Sequence, residues 1–395
     1  MTADLRRRTP GAPSGAADVP PVPRGRGAPL RIGLVAPPFV PVPPTTYGGT
    51  EGFIDTLARG LLAEGHDVRL FTIGDSTCPV ERRWVFGSAP EPMGLALHEA
   101  VHVRAAYDDL VDYDVIHDNT TIGPIWATAT DHPRPVVVTC HGVLDPVSTP
   151  LYADLARWAA FVAISHDQRA TAPAVPFAAV IHHGLEPDRF PVGDGSGGYV
   201  VFLGRLASEK GAEAALEIAR SAGVPLRLAA KMREPAEREY FERFVRPRIG
   251  PDVEFLGEIS PDERNRLLGG AVALLNPITW AEPFGLVMIE AMACGTPVIS
   301  FPQGAAPEIV EDGITGFLCD DADEAVDALE RVGGLDRAAC RAHIETEFSA
   351  SVMVSRYERL YHEVIAGRST PGARPVAGSP LRGPPQPLTR HPGAP

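Results

Sequence analysis

The chain has 395 residues, 44% of them hydrophobic and 22% charged, with a formal net charge of −14. That length allows two domains with separate cores, and the acidic balance argues against a nucleic-acid binder, which needs a basic face. No apolar run approaches the ~20 residues that span a bilayer, Arg6–Arg8 are not followed by the apolar stretch of a secretory signal, and the five scattered cysteines form no CxxC. A cytoplasmic chain with free thiols is therefore expected, without a disulfide framework or structural zinc.

In chain order, residues 1–28 are rich in Pro, Gly and Arg and lack apolar periodicity, which reads as a disordered tail. Leu30–Ala36 is a buried-strand candidate. Thr50–Glu64 carries Phe53, Ile54, Leu57, Ala58, Leu61 and Leu62 on one helical face, with Gly65 at the position that ends such a helix. Strand-like runs follow at Val68–Ile73, Val115–His117, Val136–Thr139, Phe161–Ile164 and Val180–His182. Strands alternating with helices predict βαβ units and a parallel sheet. Glu186–Gly198, with Pro187, Pro191, Gly193, Gly195, Gly197 and Gly198, breaks the pattern. The alternation restarts at Tyr199–Leu203 and continues through Leu226–Ala230, Val253–Leu256, Ala273–Leu275, Val298–Ser300 and Phe317–Cys319. The expected fold is α/β: two Rossmann-like, doubly wound domains, 29–186 and 199–348, joined by a linker at 187–198 and facing a central cleft. Residues 368–395 read as a second tail. Ligands of open parallel sheets bind at the carboxyl ends of the strands, and interdomain clefts are preferred ligand sites.

Four motifs carry chemistry. Glu282-Pro283-Phe284-Gly285-Leu286 leads into an apolar helix that holds Glu290 and ends at Gly295. Pro283 suits a first helical turn, and Gly285 lets a ligand approach the backbone. The two carboxylates stand roughly 10–12 Å apart along the helix at 1.5 Å per residue, which suits the two ends of one extended ligand. An acidic helix start explains Glu282, but not Glu290 among apolar neighbours. Phe202-Leu203-Gly204-Arg205-Leu206, then Ser208-Glu209-Lys210-Gly211, places two cations at a strand end and a helix start near Ser208. Cations are unfavourable there unless an anion such as a diphosphate joins them; the plain reading is two solvated charges, Lys210 pairing with Glu209 or Glu213. Tyr47-Gly48-Gly49-Thr50-Glu51 is a glycine pair that would let phosphate or sugar approach another helix start, or else a plain turn. Thr139-Cys140-His141-Gly142 puts His141 at a strand's carboxyl end, where a hydrogen-bonded loop histidine is the alternative. His182 and His183 are neighbours on a strand and point to opposite faces, so no metal site is expected.

Together these residues resemble retaining glycosyltransferases of glycosyltransferase family 4, with the two-domain GT-B fold. The resemblance runs from about Leu30 to Tyr361, and its most specific parts are Glu282–Glu290, the FLGRL…EKG segment and Pro307-Glu308-Ile309-Val310-Glu311-Asp312-Gly313…Gly316-Phe317. It implies transfer of a hexose, with retention, from a nucleotide-diphosphate sugar such as UDP-glucose or GDP-mannose to an acceptor hydroxyl, with no cofactor or bound metal. By resemblance, Arg205 and Lys210 bind the diphosphate and Glu290 the ribose. Glu282 and the backbone N–H groups of Phe284, Gly285 and Leu286 hold the sugar, and His141 reaches it from the other domain. Gly48 and Gly49 approach the diphosphate, Asp118 and Asn119 stand on the acceptor side, and 349–367 forms a helix crossing back to the first domain. The loops at Lys231-Met232-Arg233 and Gly257-Glu258-Ile259 flank the base. The chain departs from the family at His182-His183-Gly184-Leu185, where an Asn often precedes the Gly. Glu308 caps its own helix or touches ligand. The acceptor is a saccharide, a lipid-linked sugar or a small metabolite, with at most peripheral membrane contact. The competing readings are a GT-B sugar-nucleotide epimerase or hydrolase, and an inactive nucleotide-sugar-binding protein.

Overall fold

The computed structural model describes residues 28–46 and 48–367. Nearly all of the first tail, all of the second, and Tyr47 of the glycine motif lie outside the described residues.

The first sheet has strands β1 Arg31–Val35, β2 Asp67–Thr72, β3 Glu81–Trp84, β4 Val115–Asp118, β5 Val136–Cys140, β6 Ala159–Ala163 and β7 Ala179–Val180. They lie in the order β3-β2-β1-β4-β5-β6-β7, and every pairing is parallel. The second sheet has β8 Val200–Arg205, β9 Leu226–Lys231, β10 Val253–Gly257, β11 Leu274–Asn276, β12 Val298–Ser300 and β13 Gly316–Leu318, in the order β10-β9-β8-β11-β12-β13, also parallel. The apolar runs mark these strands because a parallel sheet is covered on both faces: β4, β5, β6, β11 and β12 are buried along their whole length. The strand that the sequence pattern misses is β3, Glu-Arg-Arg-Trp, an exposed edge whose charges hide it.

Each sheet reverses its winding once, between β1 and β4 in the first and between β8 and β11 in the second. The loops leaving those four strands diverge there and open a crevice. The four motifs use these openings. Gly48 and Gly49 follow β1, Asp118 and Asn119 close β4, His141 follows the adjacent β5, Arg205 and Lys210 follow β8, and Glu282 follows β11.

The helix Gly49–Ala63 begins and ends one residue earlier than its periodicity suggests, with Gly65 beyond it at φ +89°. It packs with the last helix, Ala350–Ile365, in one core: Phe53, Leu57 and Leu61 meet Met353, Val354, Tyr357 and Tyr361. Gly60 makes room for this, since a Cβ there would stand 2.4 Å from Val354 Cγ2. Leu185, in an isolated bridge, ties down the start of the last helix: its N–H donates to Phe348 O at 3.0 Å, and Ala350 N–H donates to Leu185 O at 2.7 Å. Among the described residues no helix is long and apolar enough to cross a membrane. All five cysteines are buried free thiols.

Two helix starts differ from expectation, each because of a glycine in the left-handed region. Gly285 has φ +95°, so the helix begins at Leu286 and Pro283 stays in the preceding loop. Gly211 has φ +78°, so Ser208–Lys210 forms a separate 3-10 turn and the helix begins at Ala212. A right-handed helix cannot run through such a residue.

Candidate active site

Lys210 and Glu282 come from different loops and form an ion pair. Trp280 completes the group: its Nε1–H donates to Glu282 Oε2 at 2.9 Å, and its ring lies under the Lys210 ammonium, 4.7 Å from the centroid. The loops are cross-linked through their backbones. Thr279 N–H donates to Glu209 O at 3.0 Å, and Gly211 passes so close to Pro277 that a Cβ would stand 2.0 Å from its carbonyl oxygen. On the other side Gly304, at φ +58°, leaves no room for a side chain, because a Cβ would lie 2.3 Å from both Glu282 N and O; Ala305 N–H donates to that same Glu282 O at 3.0 Å. Glu282 is thus held by backbone from both neighbouring loops.

Arg205, the last residue of β8, lies 3.4 Å from Glu209 and 3.6 Å from the buried Glu237. Both cations therefore carry internal counter-charges. The helix Leu286–Ala293 starts beside them, and the first N–H groups of any helix lack intrahelical acceptors. Phe284, just before it, is buried against His183, with ring centroids 5.0 Å apart. Glu290 pairs with Arg264 at 2.8 Å; burial pushes its carboxyl above the ordinary value, and Arg264 opposes the rise.

From the first domain, Gly48 is the extended residue that starts the helix Gly49–Ala63. Gly49 faces Leu286 across the cleft, where a Cβ would stand 3.2 Å from Leu286 Cδ1. Arg233 also spans the cleft, binding Glu258 at 2.6 Å and donating to Thr46 Oγ1. That contact joins the two loops assigned by sequence to the base. His141 stacks on His183 at 5.4 Å and meets the edge of Phe53 at 4.9 Å. Burial, with His117 nearby, holds the His141 imidazole down to about 3, so it is neutral at physiological pH. Asn119 Oδ1 holds its Nε2 at 2.9 Å. Asp118 does not face the cleft. It is fully buried, Tyr107 O–H donates to one oxygen at 2.8 Å, and Thr120 donates to the other through N–H and O–H, each at 2.7 Å. Its carboxyl is pushed up to about 6 by burial, against those hydrogen bonds.

Glu308 neither caps its own helix nor lies free for ligand. It reaches into the first domain, accepting from His166 N–H at 2.8 Å, Asp167 N–H at 2.7 Å and His182 Nε2 at 2.8 Å. Burial would raise its carboxyl, but these three donors outweigh it and hold the pKa below the ordinary value. His166, His182 and Glu308 each offer an atom within 4.8 Å of the others; both Glu308 oxygens already accept N–H groups there. His182 and His183 do point apart, one to Glu308 and one to His141. Sequence reasoning missed Arg264, Trp280, Glu237, Gly304 and the reach of Glu308. Only Trp280, two residues before Glu282, carried a local signal.

A pair of parallel sheets whose switch-point loops converge on one charged cleft defines a two-domain GT-B glycosyltransferase. Residues 47–189 match the family model "Glycosyltransferase Family 4" and residues 197–333 match "Glycosyl transferases group 1". The chain belongs to glycosyltransferase family 4. It is 26% identical to a phosphatidyl-myo-inositol mannosyltransferase of Mycolicibacterium smegmatis over 86% of this chain and 95% of that protein. An N-acetyl-alpha-D-glucosaminyl L-malate synthase of Bacillus anthracis is 37% identical, but over 21% of this chain and only 24% of its own length. Among solved structures, AviGT4, a glycosyltransferase involved in avilamycin A biosynthesis, shares 27% identity with a TM-score of 0.65 over 86% of this chain and 99% of that one. Anabaena HepE in complex with UDP and glucose, at 20% identity and TM-score 0.67 over 84% and 98%, shares the fold.

Proposed function

We propose that this glycosyltransferase moves a hexose from a nucleotide-diphosphate sugar of UDP-glucose or GDP-mannose type to an acceptor hydroxyl, with retention of configuration and without a metal. The observation that carries the reading is the Lys210–Glu282 pair, held on two cross-linked loops beside the start of the helix Leu286–Ala293.

A diphosphate arriving there exchanges carboxylate partners for phosphate. Lys210 turns from Glu282 to the phosphate and Arg205 from Glu209, and the free N–H groups of the first helical turn add their donors. Glu282, released from Lys210 but still clamped at its backbone, then accepts hydroxyls of the sugar. Glu290 takes the ribose hydroxyls on the oxygen turned away from Arg264, and Gly48 and Gly49 admit the donor from the opposite wall. His141 contacts the sugar. As the bond to the diphosphate breaks, negative charge grows on the leaving oxygens, where fixed cations stabilise it most. The anomeric carbon becomes oxocarbenium-like. The departing phosphate accepts the acceptor's proton on the face it leaves, so no protein nucleophile is required. Asn119 belongs to the His141 wall, and Asp118, with both oxygens bonded, supports the loop beneath it. The acceptor is a saccharide, a lipid-linked sugar or a small metabolite.

A thermal-shift screen against UDP, GDP, ADP and their common hexose conjugates, with and without EDTA, tests the reading. At 100 times its dissociation constant the right donor stabilises the fold by about 2.7 kcal/mol. A shift confined to one nucleotide family and unchanged by EDTA is expected. No shift with any of them would overturn the donor site, and free sugar as the only product would favour a hydrolase.

A further inference from the structure

His141 packs against the rings of Phe53 and His183, and one of its two nitrogens is left unbonded. His141 Nδ1 is buried and has no hydrogen-bond partner. A bare buried acceptor costs stability, and native folds keep few of them. Its other nitrogen is held by Asn119, and the bonding of that amide settles where the proton is. Asn119 Nδ2 lies 3.2 Å from Val35 O, beside Asn119's own backbone N–H at 3.0 Å from the same oxygen. A carbonyl only accepts, so the NH2 end of the amide is the end facing Val35. Oδ1 therefore faces His141 at 2.9 Å, and because Oδ1 can only accept, Nε2 must carry the hydrogen. A neutral ring with its proton on Nε2 has a lone pair on Nδ1.

We infer that Asn119 is a positioning residue that fixes the tautomer of His141, so that Nδ1 presents a bare acceptor to a hydroxyl of the transferred hexose. The inference rests on the reading above that His141 faces the donor sugar. It makes Asn119, adjacent to the interior-facing Asp118, part of donor recognition rather than of the acceptor side. The surroundings keep the ring neutral. The rings packed against it are Phe53, which is apolar, and the imidazole of His183, with His117 near enough to oppose a charge on it. Its hydrogen-bond partner, an amide oxygen, carries no charge that would favour an imidazolium. A charged ring would have N–H on both sides and would repel the hydroxyl hydrogen that the neutral ring accepts.

Long-range 15N–1H NMR on the full chain with 15N-labelled histidine, without any ligand, tests the tautomer; His141→Gln assigns the signal. The expected result at pH 7 is a neutral ring protonated at Nε2, and the Nδ1–H tautomer or an imidazolium would overturn the proposal. Asn119→Asp supplies the charge that is missing. The His141 titration should then move up by about a unit or more. From about 3 that leaves the ring neutral at pH 7, so the acid limb of nucleoside diphosphate release from UDP-glucose or GDP-mannose, whichever the wild type uses, should move to higher pH by the same amount. An unchanged titration and pH profile in Asn119→Asp would overturn the positioning role. Should that variant fail to fold, the wild-type spectrum decides alone. His141→Ala separates the two readings: an unimpaired rate there would sink the sugar contact of His141 while leaving the measured tautomer intact.

Discussion

The two walls of the cleft are built from sheets of like topology, yet they solve different problems. The wall after β8 and β11 gathers Arg205, Lys210, Glu282 and Glu290, and it holds them with backbone cross-links at Thr279, Gly211 and Gly304. The wall after β1, β4 and β5 gathers uncharged groups: Gly48, Gly49, Asn119 and a neutral His141, braced by Phe53, His117 and His183. Charges gathered for an anionic ligand need fixed loops and carboxylate partners to hold them until that ligand arrives, as Glu282 holds Lys210 and Glu209 holds Arg205. A wall that meets a neutral sugar needs direction in its hydrogen bonds, which buried rings and amides supply.

That contrast can be broken by experiment, and the largest effect is expected on the charged wall. Lys210→Ala should weaken binding of the donor found by the thermal-shift screen about 100-fold, roughly 2.7 kcal/mol, and Glu290→Ala somewhat less. Isothermal titration calorimetry checks this, and wild-type affinity in both would end the assignment. Gly304→Val should cost about 2–3 kcal/mol in denaturant unfolding, since both the positive φ and the Glu282 backbone oppose a side chain. Gly48→Ala is the milder partner, because its Cβ would meet the Pro44 and Glu51 side chains.

The uncharged wall should instead show itself in acid. Burial holds His117 and His141 down to about 3 and His102 down to about 4. The unfolded chain takes up these protons from about pH 6.5 downward while the folded one refuses them. Stability is therefore full above that pH and falls below it, by up to about 1.4 kcal/mol per pH unit for each group. Unfolding curves between pH 7 and pH 5, with His102→Gln as the flatter control, measure the slope. The smallest effect belongs to the brace beneath this wall. His117 bonds Tyr361 O–H at 2.7 Å and Thr139 Oγ1 at 2.8 Å, and Thr139 bonds Tyr357 O–H at 2.8 Å. Tyr361→Phe should cost about 1 kcal/mol, and a change below a few tenths would show that the His117–Tyr361 bond does not brace the last helix.

The sequence by itself determined the buried strands and the charged residues on the loops that follow β8 and β11. Its information is local: period-two and apolar runs, a glycine after a helix, and charges a few positions apart on one loop are all visible within a short window. Even there it read Gly285 only as room for a ligand and gave Gly211 no role, so it missed two left-handed residues and started two helices too early. Tertiary structure alone decided the partners. Arg264 for Glu290 and Gly304 beneath Glu282 lie 26 and 22 positions away in the chain. Glu308 crosses from one domain to cap a turn of the other, 142 residues from His166. It likewise buried Asp118 and turned Asn119 toward His141, although the two are neighbours of similar polarity. Successive side chains of a strand point to opposite faces, and which face meets the cleft is set by what the sheet packs against.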